Sequence, residues 1–347
     1  MSDFSGYEKM PKNIKKLGLS DNDFSKIEKL KWVVTEKVHG ANFSFVYENG
    51  SLKFAKRKEY LKWTDDFFGF QLVVSKLEDN MLRLFEHLSN EIIGTKYIVY
   101  GELFGGKYPH PEVKPVMNVH AIQTGVYYTP TIEFCAFDIA IETNDSASKY
   151  YLDYESSLLY FKQFEIFHAK PLFIGKFGEV INFNIRFDSR IPKEFKLPEL
   201  KGNLVEGVVI KPFNQVDKST LLSRPIIKLK NPEFDEEDKF HAAEKWSFIP
   251  TISSKTEKLH FIVDELKNYI TRNRLENVIS KIGTLDIDNK LRVSKIKAEF
   301  LEDAISDFNE NNDNFLNNLF PDEKEWIAKR VQSEINRMIT SADKGLA

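Results

Sequence analysis

An α+β fold in two parts is what the sequence predicts, a strand-rich domain followed by a small all-α one, and three observations predict it. Phe43, Phe45 and Tyr47 alternate with Ser44, Val46 and Glu48; Asn49-Gly50 then supplies a two-residue turn, and Leu52 and Phe54 resume the alternation as the second arm of a β-hairpin. Short apolar runs of strand length recur from Trp32 to Asn231. Beyond Lys258 they stop, and apolar residues return at helical spacing. With 347 residues, 42% of them hydrophobic and 13% aromatic, the chain can bury a sizeable core and is long enough for two domains.

Taken in order, residues 1 to 31 are lysine-rich with irregular apolar spacing and predict no definite element. Trp32-Val33-Val34 opens the first strand, Lys37 ends it, and Gly40 gives the tight bend into the hairpin. Phe54 to Lys58 is a strand that runs into three cations, Lys56, Arg57 and Lys58, which suit either a solvated strand end or an anion contact opposite Lys37. Gln71 to Leu88 reads as a packing helix. Lys96 to Gly106 is an apolar strand that carries Glu102 into a glycine-rich corner, and Glu133 to Ile139 is a buried strand with Asp138 near its end. Ser156 to Phe164 reads as a short helix, and Phe177 to Leu200 as a charged, proline-punctuated connector. Leu204 to Pro212 and Arg224 to Asn231 are two further strands; in the second, Lys228 and Lys230 share one face while Ile227 and Leu229 take the other. The acidic stretch from Phe234 to Lys258 marks the domain boundary, and Leu259 to Ile270, Arg274 to Ile282 ending at Gly283, Ser294 to Phe308 and Asp322 to Ile339 read as helices.

Composition excludes several classes. A formal net charge of −3 is not that of a basic nucleic-acid-binding domain, so any polyanion site has to be a local patch. The single cysteine, Cys135, permits no intrachain disulfide or cysteine-based metal site and is expected to be a small core hydrophobe. No amino-terminal apolar segment resembles a signal peptide and no window approaches the length of a membrane span. A soluble, intracellular protein with no membrane partner is expected, and the sequons Asn42-Phe43-Ser44 and Asn144-Asp145-Ser146 are expected to go unused. No glycine-rich phosphate loop of the Gly-x-x-x-x-Gly-Lys-Ser/Thr type is present.

Lys37 sits between two apolar runs, as a placed nucleophile would. Around it six short motifs follow in order: Glu36-Lys37-Val38-His39-Gly40-Ala41-Asn42-Phe43, Ala55-Lys56-Arg57, Gly101-Glu102 extended by Leu103 to Tyr108, Phe137-Asp138, Glu206-Gly207-Val208-Val209-Ile210-Lys211, and Lys228-Leu229-Lys230. Together they resemble the nucleotidyl-transfer motifs of the RNA ligase 2 family, the branch containing phage RNA ligase 2 and the kinetoplastid RNA-editing ligases. His39, where DNA ligases and capping enzymes usually carry aspartate, favours this branch. Asn273 to Gly283 is also similar to the helical domain of the phage group. Two departures are visible, Ala41 in place of the threonine that phage enzymes can carry, and a long insert from Lys107 to Thr131.

The resemblance implies an antiparallel-sheet nucleotidyltransferase domain over 1–245, the ATP-grasp-like ligase fold, and a helical RNA-engaging domain over 246–347. It implies an ATP-dependent RNA ligase that joins 3′-hydroxyl and 5′-phosphate RNA ends, at nicks in duplex RNA, through a lysyl-AMP on Lys37. Lys37, Glu206, Lys228 and Lys230 are the implied catalytic residues. Glu36, Lys37, Asn42, Arg57, Glu102, Phe137, Val209, Lys228 and Lys230 are the implied nucleotide contacts, with Phe137 stacking on adenine, Glu102 at the ribose, Asn42 and Arg57 at the sugar and phosphate, and the two lysines gripping the α-phosphate. Glu206 and Glu102 are the implied carboxylates for Mg²⁺, with Mn²⁺ able to substitute. Arg272, Arg274 and Lys281 are the expected RNA contacts. A free lysine is neutral about once in a thousand molecules near pH 7, so cations must offset the glutamates around the nucleophile, and Lys211, Lys228, Lys230 and Arg57 are expected to supply that field. The competing readings are a capping-type guanylyltransferase, a DNA ligase and a non-catalytic RNA-binding scaffold.

Overall fold

The computed structural model describes all residues except 1–3, 14–15, 17–19, 144–145, 215–223, 237–242, 244 and 344–347. The chain divides into two compact units, Met1–Val46 with Lys53–Ile252, and Tyr47–Leu52 with Ser253–Ala347.

The first unit begins with a short helix, α1 (Asp21–Ile27), in the stretch whose apolar spacing predicted nothing definite. A capping box between Ser20 and Asp23 starts it, a local signal that apolar periodicity does not register. The strands β1 (Trp32–Glu36), β2 (Ala41–Glu48) and β3 (Ser51–Lys56) follow, with Asn49 and Gly50 both at positive φ in the tight turn that their identities call for. Next come β4 (Tyr60–Leu61), α2 (Phe70–Glu91), β5 (Lys96–Gly105), β6 (Ile132–Thr143), β7 (Ser146–Tyr151), α3 (Tyr154–Gln163), β8 (Pro171–Gly175), α4 (Phe177–Val180), α5 (Ile191–Glu194), β9 (Gly207–Pro212), β10 (Ile227–Lys230) and α6 (Glu233–Glu236).

These strands make two sheets. One runs β10-β9-β1-β8, and the other β4-β3-β2-β5-β6-β7. In the first, β1 pairs antiparallel with β8 and β9, and β9 with β10; in the second, β5 with β6, β6 with β7 and β3 with β4 are antiparallel. The strand β8 lies in no predicted run: its Pro171 is tolerated because it opens an edge strand, and its Gly175 closes it. The connector from Phe177 contains two single-turn helices. Phe43, Phe45, Phe54, Phe70 and Phe134 form an aromatic cluster under the second sheet, and Trp32, Val34, Val208, Ile210 and Ile227 form the core of the first. Asn42-Phe43-Ser44 lies in β2 with Ser44 fully buried, whereas Asn144 and Asp145 fall outside the described residues.

The acidic stretch that marks the domain boundary is partly core. Phe234 is 1% exposed and packs with Val38, Phe104, Tyr128 and Cys135, so the sparse apolar content around it hid a buried anchor. Residues 245 to 252 also stay on the first unit, where Trp246 Nε1 donates to the Ala121 carbonyl at 3.2 Å and Trp63 Nε1 to the Ile252 carbonyl at 3.1 Å. The division therefore follows Ile252. The second unit's helices are α7 (Lys255–Lys267), α8 (Arg272–Ile282), α9 (Lys290–Asn311) and α10 (Pro321–Asp343), with a 3₁₀ turn at Phe315–Asn318. Ser254, Thr271 and Asn289 cap the first three, and Leu266, Val278, Phe300 and Val331 are among their buried residues. Among the described residues, no helix is long and apolar enough to cross a membrane.

Gly40 shows how the two sheets are brought together. A Cβ there would lie 2.0 Å from the Leu103 carbonyl oxygen and 2.9 Å from Glu102 Cγ, so only glycine lets the loop after β1 press against β5. Gly40→Ala is expected to lower stability by about 1–3 kcal/mol through overpacking, read as a lower urea midpoint at unchanged slope. An unchanged midpoint would show that β5 yields freely at this contact.

Candidate active site

Each sheet contributes one half of the site. From the first come Lys37, just past the end of β1, Glu206, just before β9, and Lys228 and Lys230 on β10; from the second come Asn42 on β2, Glu102 on β5, and Phe137 and Asp138 on β6. An open pocket between them is lined by Tyr7, Glu36, Lys37, Asn42, Glu102 and Phe137, with Val209 and Lys211 also on its wall.

Glu206 is the centre of charge. It is 2% exposed, and its two oxygens collect three donors: Lys37 Nζ at 2.6 Å and His39 Nδ1 at 3.2 Å on Oε2, and Lys230 Nζ at 2.6 Å on Oε1. Burial alone would raise its pKa, but the His39 hydrogen bond and the charges of Lys37, His39 and Lys230 hold it well below the usual carboxylate range. The main chain fixes the same geometry. Lys37 N donates to the Gly207 carbonyl at 3.0 Å, Asn231 N donates to the Glu206 carbonyl at 2.9 Å, and the buried Asn231 amide spans the Ile185 and Val205 carbonyls. A Cβ on Gly207 would meet the Leu229 carbonyl at 2.0 Å, so glycine is what allows β10, with its two lysines, to lie this close.

Lys228 is half-buried, and burial together with repulsion from Lys37 and Lys230 lowers its pKa. Arg57 is exposed beyond β3, and its charge acts on both Lys228 and Glu102. Burial pushes Glu102 up to about 7, with Lys37 and Arg57 opposing and Glu206 adding to the shift. Asn42 brings its Nδ2 to 3.5 Å from the Gly101 carbonyl, while its Oδ1 is buried without a hydrogen-bond donor. That orphaned acceptor faces a site where a sugar hydroxyl could donate to it. Phe137 is half-buried on the pocket wall, with the Tyr7 ring edge-on at 4.9 Å.

Lys211 departs from its expected place. It is 2% exposed, and its Nζ donates to the Phe137 carbonyl at 2.6 Å and to Asp138 Oδ1 at 2.9 Å. Its charge is compensated by Asp138, four residues along β9 from Glu206's end of the strand. Asp138 also receives Arg224 Nη2 at 2.6 Å and the Tyr7 hydroxyl at 2.5 Å; burial would raise its pKa, but Arg224 and Lys211 hold it at about 2. Neither Tyr7, an isolated aromatic in an irregular stretch, nor Arg224, beside a proline, carries a local signal that marks it in the sequence. Cys135 is buried and unpaired, as a core hydrophobe.

Arg272, Arg274 and Lys281 lie on α8 in the second unit. Arg272 is exposed and pairs with Glu276 at 3.1 Å, and exposed Lys281 pairs with Asp303 at 3.2 Å. Arg274 instead uses its guanidinium inside the unit, donating to the Tyr269 carbonyl at 3.0 Å, the Asp303 carbonyl at 2.9 Å and the Asp307 carboxylate.

Glu36 is 7% exposed and accepts the Ser189 hydroxyl at 2.5 Å and Arg190 N at 3.2 Å, yet burial outweighs both and pushes its pKa from 4.5 up to about 7. The unfolded chain ionises this residue first, so its stabilising contribution is complete below about pH 4.5 and is lost as pH climbs to 7. Relative to wild type, Glu36→Gln is therefore expected to gain on the order of 3 kcal/mol between pH 4.5 and 7.5 in urea unfolding. A pH-independent difference would place Glu36 at its ordinary pKa.

Residues 30–230 match the RNA ligase family, and residues 253–337 match the T4 RNA ligase 2 C-terminal family. The chain is 27% identical over 357 residues to mitochondrial RNA-editing ligase 2 of Trypanosoma brucei brucei, covering 91% of this chain and 86% of that protein. With mitochondrial RNA-editing ligase 1 of the same organism it shares 26% identity over 410 residues, covering 99% and 84% respectively. A solved Naegleria gruberi RNA ligase aligns with a TM-score of 0.45 at 16% identity, over 68% of this chain and 59% of that one. The first match takes in every residue from Lys37 to Lys230 that the two sheets bring together, and on that ground the chain belongs to the RNA ligase family.

Proposed function

We propose that the chain is an ATP-dependent RNA ligase in which Lys37 is the adenylylated nucleophile, joining 3′-hydroxyl and 5′-phosphate ends at nicks in duplex RNA. The observation that carries this reading is the Lys37 amine, on the wall of the pocket between the sheets, held 2.6 Å from the buried Glu206 carboxylate, with Lys228 and Lys230 beside it. The RNA-editing names of the trypanosome relatives support the choice of RNA. The match of the helical part to a ligase family rather than to a barrel domain disfavours the capping reading.

In the first step Lys37 Nζ forms a bond to the α-phosphorus of ATP while the bond to the bridging oxygen breaks and pyrophosphate leaves. The 5′-phosphate of RNA then displaces the lysine from AMP, and a 3′-hydroxyl finally attacks that phosphate and expels AMP. Each is an in-line transfer, so the chain's contribution is alignment and charge. Phe137 offers its face to adenine, Asn42 and Glu102 take the sugar hydroxyls, and Lys228 and Lys230 neutralise charge at the α-phosphate. Before attack, Lys37 must give up the proton that Glu206 holds in place.

The donors available to a divalent cation are hard oxygens. Among the described residues no group of three or more histidines, cysteines or acids is arranged as a cage. Glu206, whose oxygens are engaged by Lys37, His39 and Lys230, and Glu102 would hold Mg²⁺, or Mn²⁺ in its place, through its waters together with the nucleotide's phosphates. The ion would supply charge neutralisation at the phosphates. In the second unit, exposed Arg272 and Lys281 sit in surface pairs worth little each, so they can exchange carboxylates for RNA phosphates.

Intact mass after incubation with ATP and Mg²⁺ is expected to rise by one AMP in the wild type and not in Lys37→Ala; an adduct retained in the variant refutes the assignment. A chain truncated after Ile252 is expected to form lysyl-AMP but to seal nicked RNA at least about tenfold more slowly. Equal sealing by the truncated chain would remove the RNA role from the helical unit.

A further inference from the structure

The insert between Lys107 and Thr131 takes no part in the chemistry above, yet its returning end bonds to the His39 backbone and to Asn203, close in the chain to Glu206. Tyr128 is 1% exposed and meets Phe104 edge-on at 5.3 Å. Its hydroxyl oxygen accepts the His39 backbone N–H at 2.9 Å. The preceding residue is clamped by a buried amide: Tyr127 N donates to Asn203 Oδ1 at 2.8 Å, and Asn203 Nδ2 donates back to the Tyr127 carbonyl at 2.7 Å. Asn203 lies three residues before Glu206. One dipeptide therefore ties the loop that carries His39 to the segment that carries Glu206. Phe234 adds a wall, its ring edge-on to the His39 imidazole at 5.4 Å.

We propose that Tyr128 is a positioning residue for nucleotidyl transfer, its hydroxyl holding the Val38–Gly40 loop so that the His39 ring stays bonded to Glu206. The proposal rests on the reading of Lys37 as nucleophile. Glu206 Oε2 is shared between His39 and Lys37, so the strength of its hold on the lysine depends on where the imidazole stands. When the loop slackens, His39 withdraws, and the Glu206 oxygen that it shares with Lys37 is no longer fixed, so the lysine loses its alignment. Tyr128 does not line the nucleotide pocket, so its loss slows the reaction without weakening ATP. A tyrosine that merely satisfied a buried N–H would affect folding and nothing else.

The test is single-turnover lysyl-AMP formation with ATP and Mg²⁺ in the full chain, comparing wild type, Tyr128→Phe, His39→Ala and the double variant. Tyr128→Phe is expected to cut the maximal rate about tenfold, leave half-saturating ATP unchanged, and cost nothing further in the His39→Ala background. Asn203→Ala, which releases the other side of the clamp, is expected to show the same split. Hydrogen exchange supplies a reading that does not depend on any variant: the His39 amide should be protected in wild type, as the Lys37 amide bonded to Gly207 should be. A wild-type rate in Tyr128→Phe, an equal loss in the His39→Ala background, an effect confined to half-saturating ATP, or a freely exchanging His39 amide would each overturn the proposal. Failure of the wild type to form lysyl-AMP would instead sink the nucleophile reading, and His39 amide protection would still decide whether Tyr128 holds the loop.

Discussion

A buried carboxylate that must stay ionised organises the first unit. Taking Glu206 out of water carries a penalty of several kcal/mol, which the three donors on its two oxygens offset. The surrounding backbone exists to keep those donors in place. The strand order β10-β9-β1 puts Lys230, Glu206 and Lys37 at the ends of neighbouring strands, Gly207 permits the close approach of β10, and Asn231 pins the Glu206 main chain. Removing any one donor leaves the others holding a charge that is less well compensated.

A second charge centre stands at the far end of β9. Asp138 is fully buried and answers to Lys211, Arg224 and Tyr7, the last delivered by the amino-terminal segment. Arg224 also lies over the Tyr151 ring at 4.3 Å and Lys211 over the Tyr154 ring at 5.0 Å, so both cations are enclosed by aromatic faces as well as paired. The two centres share β9 but not their cations. Of the four cations expected around Lys37, Lys211 is the one met by a buried carboxylate of its own.

Much of this was legible in the sequence because the chemistry is concentrated at strand ends. Lys37, Glu102, Glu206, Lys228 and Lys230 each follow or interrupt an apolar run, and a run of period two announces which side its neighbours face. The hairpin was legible because Asn49-Gly50 states its own backbone conformation. What escaped was tertiary. Tyr7, Tyr128, Arg224 and Phe234 lie in stretches without periodicity, and their roles arise from partners between 86 and 217 residues away in the case of Arg224, or from a loop 89 residues away for Tyr128. Lys211 looked like a cation for the nucleophile because it ends the same motif as Glu206. Strand geometry puts its ammonium against Asp138 instead.

The division of the pocket between two sheets has a consequence for how such a protein can diverge. In the proposed reaction the bond-making groups sit at the ends of β1 and β9 and on β10, while the side chains proposed to face a base and a sugar sit on β2, β5 and β6. The two sets face each other across the cleft, and the Lys211–Asp138 pair joins their sheets away from it. On that reading, substitutions on one sheet retune which nucleotide is admitted while the other keeps its charge arrangement, so selectivity and reactivity become separately heritable within a single fold.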